Sequence, residues 1–523
     1  MNKLVKRILT LCFAAMMLVS AVACQQQPVA TEEPATDVSQ PTESTEAVAE
    51  ARDELVVALS YDADALDPLF VAQGQTGIFV NNHVFNPLVW RDDEMNLVPC
   101  LATEWETLDD LTWKFTLRDD VYFHSGNKMT SKDVKMSFER MYDERVVTSA
   151  RWPSDVPFDY CEAPDDTTFI LHLTKPCPGL LYYLMPGFYV LDSEVFEGTY
   201  EPVTENVSGT GPYKIVEWVR DDHITLERND NYWGEKPAIR KLTFRVIPDA
   251  STRASELLAG NVDVIQSPPV EMLDQFETDT TTVVAADPGR LNMMIIDHTK
   301  YPFNDLRVRQ ALQYAIDKDA INQALMGGLG VVNSGICMPP NENTTDIQPY
   351  PYDPEKAKAL LEEAGVPEGT ELLVLTTTDR YVREKEATTA ICNYLEAIGF
   401  KCTIEVYDQS VLVEKWDNHD FGNLCFRGLG GYFNGQGELA WVNISGTGWE
   451  NLPAYQELYD QICSEMDLEL RDELIQQAQV MVHDECVWGF LWRQPSFYAC
   501  KRDVQWTPRP DEYMHFMGAS IVE

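Results

Sequence analysis

Residues 292–327, NMMIIDHTKYPFNDLRVRQALQYAIDKDAINQALMG, decide how this 523-residue chain folds. The apolar run from Met293 to Ile296 predicts a strand. A helix is predicted to follow, with Asn304 as its N-cap and Asp305 in the first turn, where the helix dipole favours an anion. Apolar residues recur along this helix at helical spacing, so one face is expected to be buried. A strand followed by an amphipathic helix is typical of an α/β protein.

The rest of the second half of the chain alternates helices and strands in the same way. A short helix is predicted from Asp319 to the glycine pair at 327–328. Further on, Asp353 is expected to cap a helix that has Pro354 at its first position. A helix over residues 384–398 then leads into a strand over residues 401–407. This order of elements predicts an α/β lobe.

Four segments carry a resemblance to a known family. They are LVPCLATEWETLDDLTWKFTLRDDVYFHSGNKMTSKDVKMSFERM, EAPDDTTFILHLTKPCPGLLYYLM, RNDNYWGEKPAIRKLTFRVIPDASTRASELLAGNVDVI and PFNDLRVRQALQYAIDKDAI. In this order they resemble the extracellular solute-binding proteins of family 5, the dipeptide, oligopeptide and nickel receptors of ABC importers. The last segment resembles the signature that marks the passage into the second lobe of these receptors. The resemblance covers nearly everything from residue 54 onward.

The resemblance implies an α/β, two-lobed clamshell of the periplasmic-binding-protein fold, class II, of the large family 5 type with an extra subdomain in lobe I. The expected boundaries are a signal peptide over 1–23, a tether over 24–53, lobe I over 54–290 with an inserted subdomain at about 96–205, lobe II over 291–493, and a return to lobe I over 494–523. Such receptors close their lobes about a hinge on a captured solute.

Composition limits the class of partner. The chain has 40 basic and 84 acidic residues, so its net charge is 40 minus 84, or −44. Such a surface repels phosphates, which argues against nucleic acid as a partner. A hydrophobic content of 45% with 11% aromatic residues is typical of a globular protein that buries several cores. The charge suits a soluble protein that works outside the cytoplasm.

The N-terminus has the pattern of a signal peptide, with a basic start and an apolar run that is too short to span a membrane. The run ends in Ala21-Val22-Ala23-Cys24, which resembles the lipobox of bacterial lipoproteins, although Ala21 stands where Leu is commoner. Cleavage after Ala23 would leave Cys24 at the new N-terminus, so we predict that Cys24 is lipidated. The alternative is an ordinary A-x-A cleavage site that happens to precede a cysteine.

The segment after Cys24 is predicted to be a flexible acidic tether. Residues 25–52 consist mainly of Gln, Pro, Thr, Glu and Ala and cannot bury enough apolar surface to fold. No later stretch is apolar for the ~18 residues that a membrane crossing needs. The expected location is the extracytoplasmic face of the cell membrane, held by the lipid. Whether the cell has an outer membrane stays open.

Metal and catalytic motifs are missing from the sequence. It contains no C-x-x-C, H-E-x-x-H, G-x-S-x-G or Walker loop, so we expect neither a metal cluster nor an enzyme. His124 is most simply structural, because no second ligand stands at metal spacing from it.

Ten of the 12 cysteines remain after Cys12 and Cys24 are set aside. Cys161 and Cys177 flank one predicted hairpin and are the first pair to expect, although sequence cannot settle disulfide pairing.

The resemblance also nominates ligand contacts. In dipeptide receptors of the family, an Arg of lobe II holds the ligand carboxylate and an Asp in a G-W-x-x-D segment holds its ammonium. Arg380, in TTTDRYVRE, falls where that Arg is expected; the alternative is an exposed salt bridge with Glu384. FRGLGGYFNGQGELAW has glycine where the Trp and the Asp would stand, and Glu438 is its nearest acid. We therefore expect a ligand with an acidic or neutral polar end and no obligatory free α-amine.

Aromatic residues could complete the site, although most aromatic side chains lie in cores. The candidates are Tyr432, Phe433, Trp441, Trp449 and Trp492. The expected function is that of a substrate-binding lipoprotein of an ABC importer, most simply for a peptide, which works as a monomer with a permease and its ATPase subunits and needs no cofactor. Two alternatives stay open: a receptor for an oligosaccharide or a nickel or other metal chelate, and a surface sensing or adhesion protein that uses the same cleft.

Overall fold

Most of the chain after the predicted tether is described by the computed structural model. The described residues are 52–71, 75–146, 156–185, 187–337, 347–377, 380–431, 433–443, 447–449 and 452–522. The predicted signal peptide, Cys24 and the tether up to Ala51 lie outside them. Within the described ranges, no helix combines the length and the apolar character that crossing a membrane requires.

Strands form the frame of the molecule. They are β1 Glu54–Leu59, β2 Val89–Arg91, β3 Leu97–Pro99, β4 Ala102–Asp109, β5 Thr112–Leu117, β6 Phe158–Asp165, β7 Thr168–Leu173, β8 Tyr213–Val219, β9 His223–Arg228, β10 Lys241–Val246, β11 Val264–Gln266, β12 Thr281–Ile296, β13 Val331–Val332, β14 Thr370–Thr377, β15 Phe400–Tyr407, β16 Leu424–Gly430, β17 Trp488–Lys501, β18 Val504–Gln505 and β19 Ser520–Ile521. The largest sheet has 11 strands in the order β15-β14-β16-β12-β17-β11-β1-β10-β9-β8, with β13 added against β17.

Helices cover the sheet and link its strands. They are α1 Gln75–Val84, α2 Ser131–Met141, α3 Leu180–Tyr183, α4 Ser193–Phe196, α5 Ala250–Leu258, α6 Leu306–Ala315, α7 Lys318–Met326, α8 Pro354–Glu363, α9 Glu384–Ala397, α10 Gln409–Asp417, α11 Gln436–Ala440, α12 Pro453–Ser464 and α13 Leu468–Asp484. The parallel strands β14 and β15 are connected through α9. The α/β prediction is therefore confirmed.

Strands β12 and β17 run antiparallel through the middle of the large sheet. Their pairing extends from Thr281 opposite Lys501 to Ile295 opposite Trp488, with one register shift between Ala286 and Arg290 and a second between Asn292 and Met293. We call the first of these shifts the interruption of the pairing. On the Thr281 side of the first shift, the partner strand β17 also pairs with β11. After the shift, β12 also pairs with β16. The two strands thus join the two halves of the sheet.

The buried apolar side chains form separate cores in the two halves. In one half they come from residues 55–286 and 498–519. In the other half they come from residues 291–492. We call these halves lobe I and lobe II. The division falls at the interruption of the β12–β17 pairing, and we refer to this point as the hinge.

Lobe I contains a second, smaller sheet with the strand order β4-β5-β7-β6. Its inner face packs on α2, where Phe138 stacks on Phe169 with ring centroids 5.2 Å apart. This small sheet has its own core and lies in the region predicted as an inserted subdomain.

The segment at residues 292–327 folds nearly as predicted, with a shift at the start of its first helix. Asp305 and not Asn304 is the N-cap of α6, because the Asp305 side chain accepts the backbone N–H of Arg307 at 2.9 Å. A carboxylate at this position satisfies a free N–H and matches the helix dipole. The following helix, α7, begins one residue before Asp319 and ends at Gly327, which adopts the left-handed conformation with φ 61.

Other local predictions agree with the structure. The Asp353 side chain caps α8 by accepting the backbone N–H of Lys356 at 2.9 Å, and Pro354 is the first residue of this helix. Helix α9 and strand β15 lie where they are predicted, within one residue at each end. The strand predicted at residues 293–296 is the end of β12, which begins at Thr281.

The predicted disulfide between Cys161 and Cys177 is not formed. None of the ten cysteines of the described part forms a disulfide. Cys161 and Cys177 are both buried in the core of the smaller sheet. The Cys161 Sγ lies 3.9 Å from the backbone oxygen of Lys135, and burial raises the pKa of this thiol to about 12. Both side chains therefore serve as small apolar groups of the core.

A buried histidine in lobe I is held in its neutral form. The Nδ1 of His83 lies 2.6 Å from the Phe79 carbonyl oxygen, and its Nε2 accepts the backbone N–H of Phe516 at 3.0 Å. One ring nitrogen donates and the other accepts, which requires neutral imidazole. Burial accordingly lowers the pKa of His83 to about 4. The His515 ring, 5.3 Å away between ring centroids, is half-buried.

We expect His83 to make stability depend on pH between about 6.5 and 4. The unfolded chain binds a proton in this window and the folded chain does not, so stability is complete above pH ~6.5 and falls as pH decreases, by ~3 kcal/mol in total. Urea unfolding at pH 7 and pH 5 should show a smaller difference for His83→Gln than for the unmodified chain. His223→Gln is the control, because the hydrogen bonds that this half-buried residue donates to the Asp222 and Glu217 carboxylates raise its pKa and give the opposite sign. An unchanged pH dependence in His83→Gln would contradict the assignment.

Candidate functional site

The predicted ligand residues follow two neighbouring strands of lobe II. Strands β14 and β16 are parallel, with Val374 opposite Leu424. Their carboxyl ends therefore lie at the same edge of the sheet. Arg380 is in the loop after β14, and Phe433 and Glu438 follow β16. Ligands of open α/β sheets bind beyond the carboxyl ends of strands, so this edge is where a site is expected.

Arg380 has an exposed side chain beside the hinge. Its backbone N–H donates to Glu384 Oε1 at 2.7 Å, and Thr377 Oγ1 donates to the other oxygen of this carboxylate at 2.7 Å. Burial raises the pKa of Glu384. Within the described residues, the Arg380 guanidinium makes no ion pair with Glu384, and the predicted alternative of a surface salt bridge is not observed.

A small polar cavity of about 100 Å³ lies at the hinge, next to Arg380. Its lining includes Gln494 of β17 and the ion pair between Arg290 and Glu512. Burial alone would raise the pKa of Glu512, but the Arg290 guanidinium lowers it below its ordinary value. Ser496 Oγ also donates to Glu512, at 2.6 Å. The hinge strands and the C-terminal segment are thus joined by charged groups exactly where the β12–β17 pairing is interrupted.

A second group of polar residues lies where lobe I meets the loop after β16. Glu438 is fully buried and accepts the backbone N–H of Phe433 at 2.7 Å. Phe433 has a positive φ of 59, so this hydrogen bond holds it in a conformation that most residues avoid. The Arg91 guanidinium of lobe I lies 5.7 Å from the Phe433 ring centroid and 5.7 Å from that of Tyr182.

The two lobes are in direct contact beside this group. A Cβ atom on Gly179 would lie 2.9 Å from the side-chain oxygen of Gln436, so the loop of lobe II packs against the backbone of lobe I. Gln436 is held by Arg471, whose Nη2 donates to it at 2.9 Å. Arg91, Tyr182 and Phe433 are therefore enclosed at the junction between the lobes.

The other predicted aromatic contacts lie elsewhere. Trp492 is fully buried in the core of lobe II, and Trp449 is buried against His298 with ring centroids 5.9 Å apart. Trp441 is half-buried and packs on the same core as Trp449. Tyr432 lies outside the described residues. Among the described aromatic candidates, Phe433 is the one placed against a residue of lobe I.

Arg91 was missed by the sequence analysis. The run Trp90-Arg91-Asp92-Asp93 has the composition of a solvated turn. The available signal was the period of two in β2, because Arg91 is two residues after the buried Val89 and so points to the same face. The structure leaves Arg91 only 3% exposed.

Across the residues that the structure describes, no group of three or more His, Cys, Asp and Glu side chains could hold a metal ion. His124 is structural, since its Nε2 lies 2.9 Å from the Gly211 carbonyl oxygen and burial lowers its pKa to about 4. The arrangement offers guanidinium groups, a carboxylate and aromatic rings, which suit the binding of a polar solute.

Removing one partner of the hinge ion pair should destabilise the protein. Glu512→Gln leaves the Arg290 guanidinium without its carboxylate, so we expect the free energy of unfolding to fall by ~3 kcal/mol in urea titrations. The double variant Arg290→Met/Glu512→Leu should lose less, because no charge stays buried. Asp230→Asn, in an exposed pair with Arg228, is the control and should lower the free energy of unfolding far less, because solvent screens such a pair. Equal decreases in the free energy of unfolding for Glu512→Gln and Asp230→Asn would show that the hinge ion pair contributes no more to stability than an exposed pair.

Comparison with known proteins assigns the chain to a family. Residues 96–449 match the model of the middle region of the bacterial extracellular solute-binding proteins, family 5. Heme-binding protein A of Haemophilus influenzae is 29% identical, over 98% of this chain and 98% of its own. The nickel-binding periplasmic protein of Escherichia coli is 26% identical, over 84% and 89% respectively. The periplasmic binding protein DppA of Helicobacter pylori, solved with the peptide STSA, is 25% identical with a TM-score of 0.75, covering 90% of this chain and 99% of that one.

Proposed function

Because the chain belongs to the bacterial extracellular solute-binding proteins of family 5, we propose that it is the substrate-binding protein of an ABC importer. The observation that carries this proposal is the match over residues 96–449, which includes both predicted ligand loops of lobe II. The protein captures a small solute between its lobes and presents it to a permease, which works with ATPase subunits. It acts by binding and is not an enzyme.

The proposed movement is closure of the two lobes about the β12–β17 strand pair. Separate cores in the two lobes support it, because each lobe can move as a unit. They also support the proposed boundaries, with lobe I over 54–290, lobe II over 291–493 and the return to lobe I over 494–523, and with the smaller sheet as an inserted subdomain at about 96–205. The contact of Gln436 with Gly179 is what a closed form would make.

A peptide is the first ligand to consider. The relatives named for heme, nickel and dipeptide show that one family serves chemically different solutes. We propose that Arg380 contacts an acidic or neutral polar end of the solute, since this residue is exposed at the sheet edge of lobe II where strands β14 and β16 end. Phe433, Trp441 and Tyr432 are proposed to pack on the solute, and Glu438 to position their loop. A nickel chelate or an oligosaccharide is the alternative in the same transporter class.

We further propose that the protein is a monomer held at the extracytoplasmic face of the membrane by a lipid on Cys24. The supporting observation is the sequence alone, in which a lipobox-like run precedes Cys24 and a polar tether of residues 25–52 follows it. Such a tether lets the folded lobes reach a permease while the lipid stays in the bilayer.

A ligand screen tests the receptor proposal. At ~100 times its dissociation constant, a true ligand adds about 2.7 kcal/mol to the stability of the folded state, so thermal unfolding detects it. The panel contains free peptides, N-acetylated peptides, oligosaccharides and a nickel–histidine complex. We expect an N-acetylated peptide to stabilise the protein as well as the free peptide does. Dipeptide binding that vanishes on N-acetylation would show that an acid, with Glu438 the first to test, binds the α-ammonium.

Arg380→Ala should weaken the binding of the best peptide by about 1.5–3 kcal/mol, because a charge-assisted hydrogen bond is lost. Isothermal titration measures the change. Lys385→Ala is the matched control, since it removes an exposed cation on the neighbouring turn of α9. Equal peptide affinities in the unmodified protein, Arg380→Ala and Lys385→Ala would show that Arg380 does not contact the ligand.

Lipid anchoring has its own test. Cys24→Ser removes the thiol that carries the lipid, so the variant should leave the membrane fraction and appear in the soluble extracytoplasmic fraction. Cell fractionation and immunoblotting measure this distribution. Cys12→Ser, within the predicted signal peptide, is the control and should stay with the membranes. A Cys24→Ser protein that still fractionates with membranes would contradict lipidation.

A further inference from the structure

We propose that Arg91 binds a carboxylate of the captured solute at the junction between the lobes. The inference rests on the proposed function and adds the ligand class: a peptide-like solute that keeps a free carboxylate. Arg91 belongs to β2 of lobe I, whereas Arg380 follows β14 of lobe II. The two cations would contact different parts of the solute, and each lobe would contribute one.

The guanidinium of Arg91 is buried without adequate partners. Its Nη2 lies 3.5 Å from the backbone oxygens of both Tyr182 and Met185, at the limit of a hydrogen bond. Its Nε is buried and has no hydrogen-bond partner. Within the described residues, Arg91 belongs to no ion pair, although its side chain is only 3% exposed. A buried charge in this state costs free energy unless an anion compensates it.

Two acidic side chains, Asp511 and Glu438, attract Arg91 without forming an ion pair with it among the described residues. Asp511 forms an ion pair with Arg509 at 2.8 Å. Glu438 accepts the backbone N–H of Phe433 at 2.7 Å with one carboxylate oxygen and attracts Arg91 electrostatically. Burial lowers the pKa of the Arg91 guanidinium in spite of these two acids, which agrees with incomplete compensation. An external anion is the group that this position lacks.

The surroundings favour a carboxylate on a partly apolar solute. A guanidinium presents a planar fork that matches a carboxylate with two parallel hydrogen bonds. The Arg91 guanidinium is flanked by the ring of Tyr182 from lobe I and the ring of Phe433 from lobe II. Each ring centroid lies 5.7 Å from the guanidinium carbon. Because Phe433 belongs to lobe II, an anion bound at Arg91 would couple ligand capture to lobe closure.

A ligand-free experiment separates this role from a structural one. Thermal unfolding is measured for the unmodified protein, Arg91→Met and Arg140→Met. Arg140 is a buried arginine of the same lobe that is paired with Asp67 at 2.6 Å. Its replacement leaves the buried Asp67 carboxylate without its cation and should lower the melting temperature by at least ~5 °C. Arg91→Met removes an uncompensated charge, so its melting temperature should be unchanged or higher. A loss as large as that of Arg140→Met would overturn the proposal.

The binding experiment uses N-acetylated tri- and tetrapeptides, each made as the free acid and as the C-terminal carboxamide. The unmodified protein should prefer the acid at least about tenfold in isothermal titration. Arg91→Met should lose this preference, and the exposed control Arg145→Met should keep it. A preference that survives in Arg91→Met overturns this inference and leaves the receptor proposal intact. If the unmodified protein binds none of the acids, the peptide-receptor proposal fails and this inference fails with it.

Discussion

The antiparallel pairing of β12 with β17 is the constraint on which the rest of the structure depends. Both strands belong to the large sheet in lobe I and in lobe II, so the hydrogen bonds between them hold the lobes together. Where their pairing is interrupted, a Cβ atom on Gly289 would lie 1.8 Å from the Pro510 carbonyl oxygen. Only glycine allows that approach, and it brings Glu512 within reach of Arg290. The hinge is therefore defined by backbone pairing, one glycine and one ion pair.

This hinge also determines what the junction between the lobes can bind. The chain carries a net charge of −44, so an anionic solute is repelled at long range. Local cations must supply the attraction. Arg290 is compensated by Glu512, whereas Arg91 has no comparable partner among the described residues. An uncompensated buried charge destabilises the ligand-free closed form. A ligand that neutralises this charge removes that cost, so solute binding favours the closed form.

Local structure was largely predictable because its causes lie within a few residues. Asp353 and Pro354 start α8 as expected, since a cap needs only its own first turn. Asn304 and Asp305 show the limit of this reasoning, because both are good caps and the choice between them depends on how α6 packs. The full length of β12 was not predictable, since its first half is defined by pairing with the distant β17.

The sequence by itself determined the α/β class, the family and the loops that carry Arg380 and Glu438, because hydrophobic periodicity, caps and signature segments are local in the chain. The tertiary structure alone decided that Cys161 and Cys177 stay apart as thiols, that Trp492 is buried in a core, and that Arg91 meets Phe433 more than three hundred positions later in the chain. Burial and charge compensation depend on residues that are distant in sequence. The local composition around Arg91 is that of a solvated turn, whereas the folded protein encloses the Arg91 side chain between two lobes.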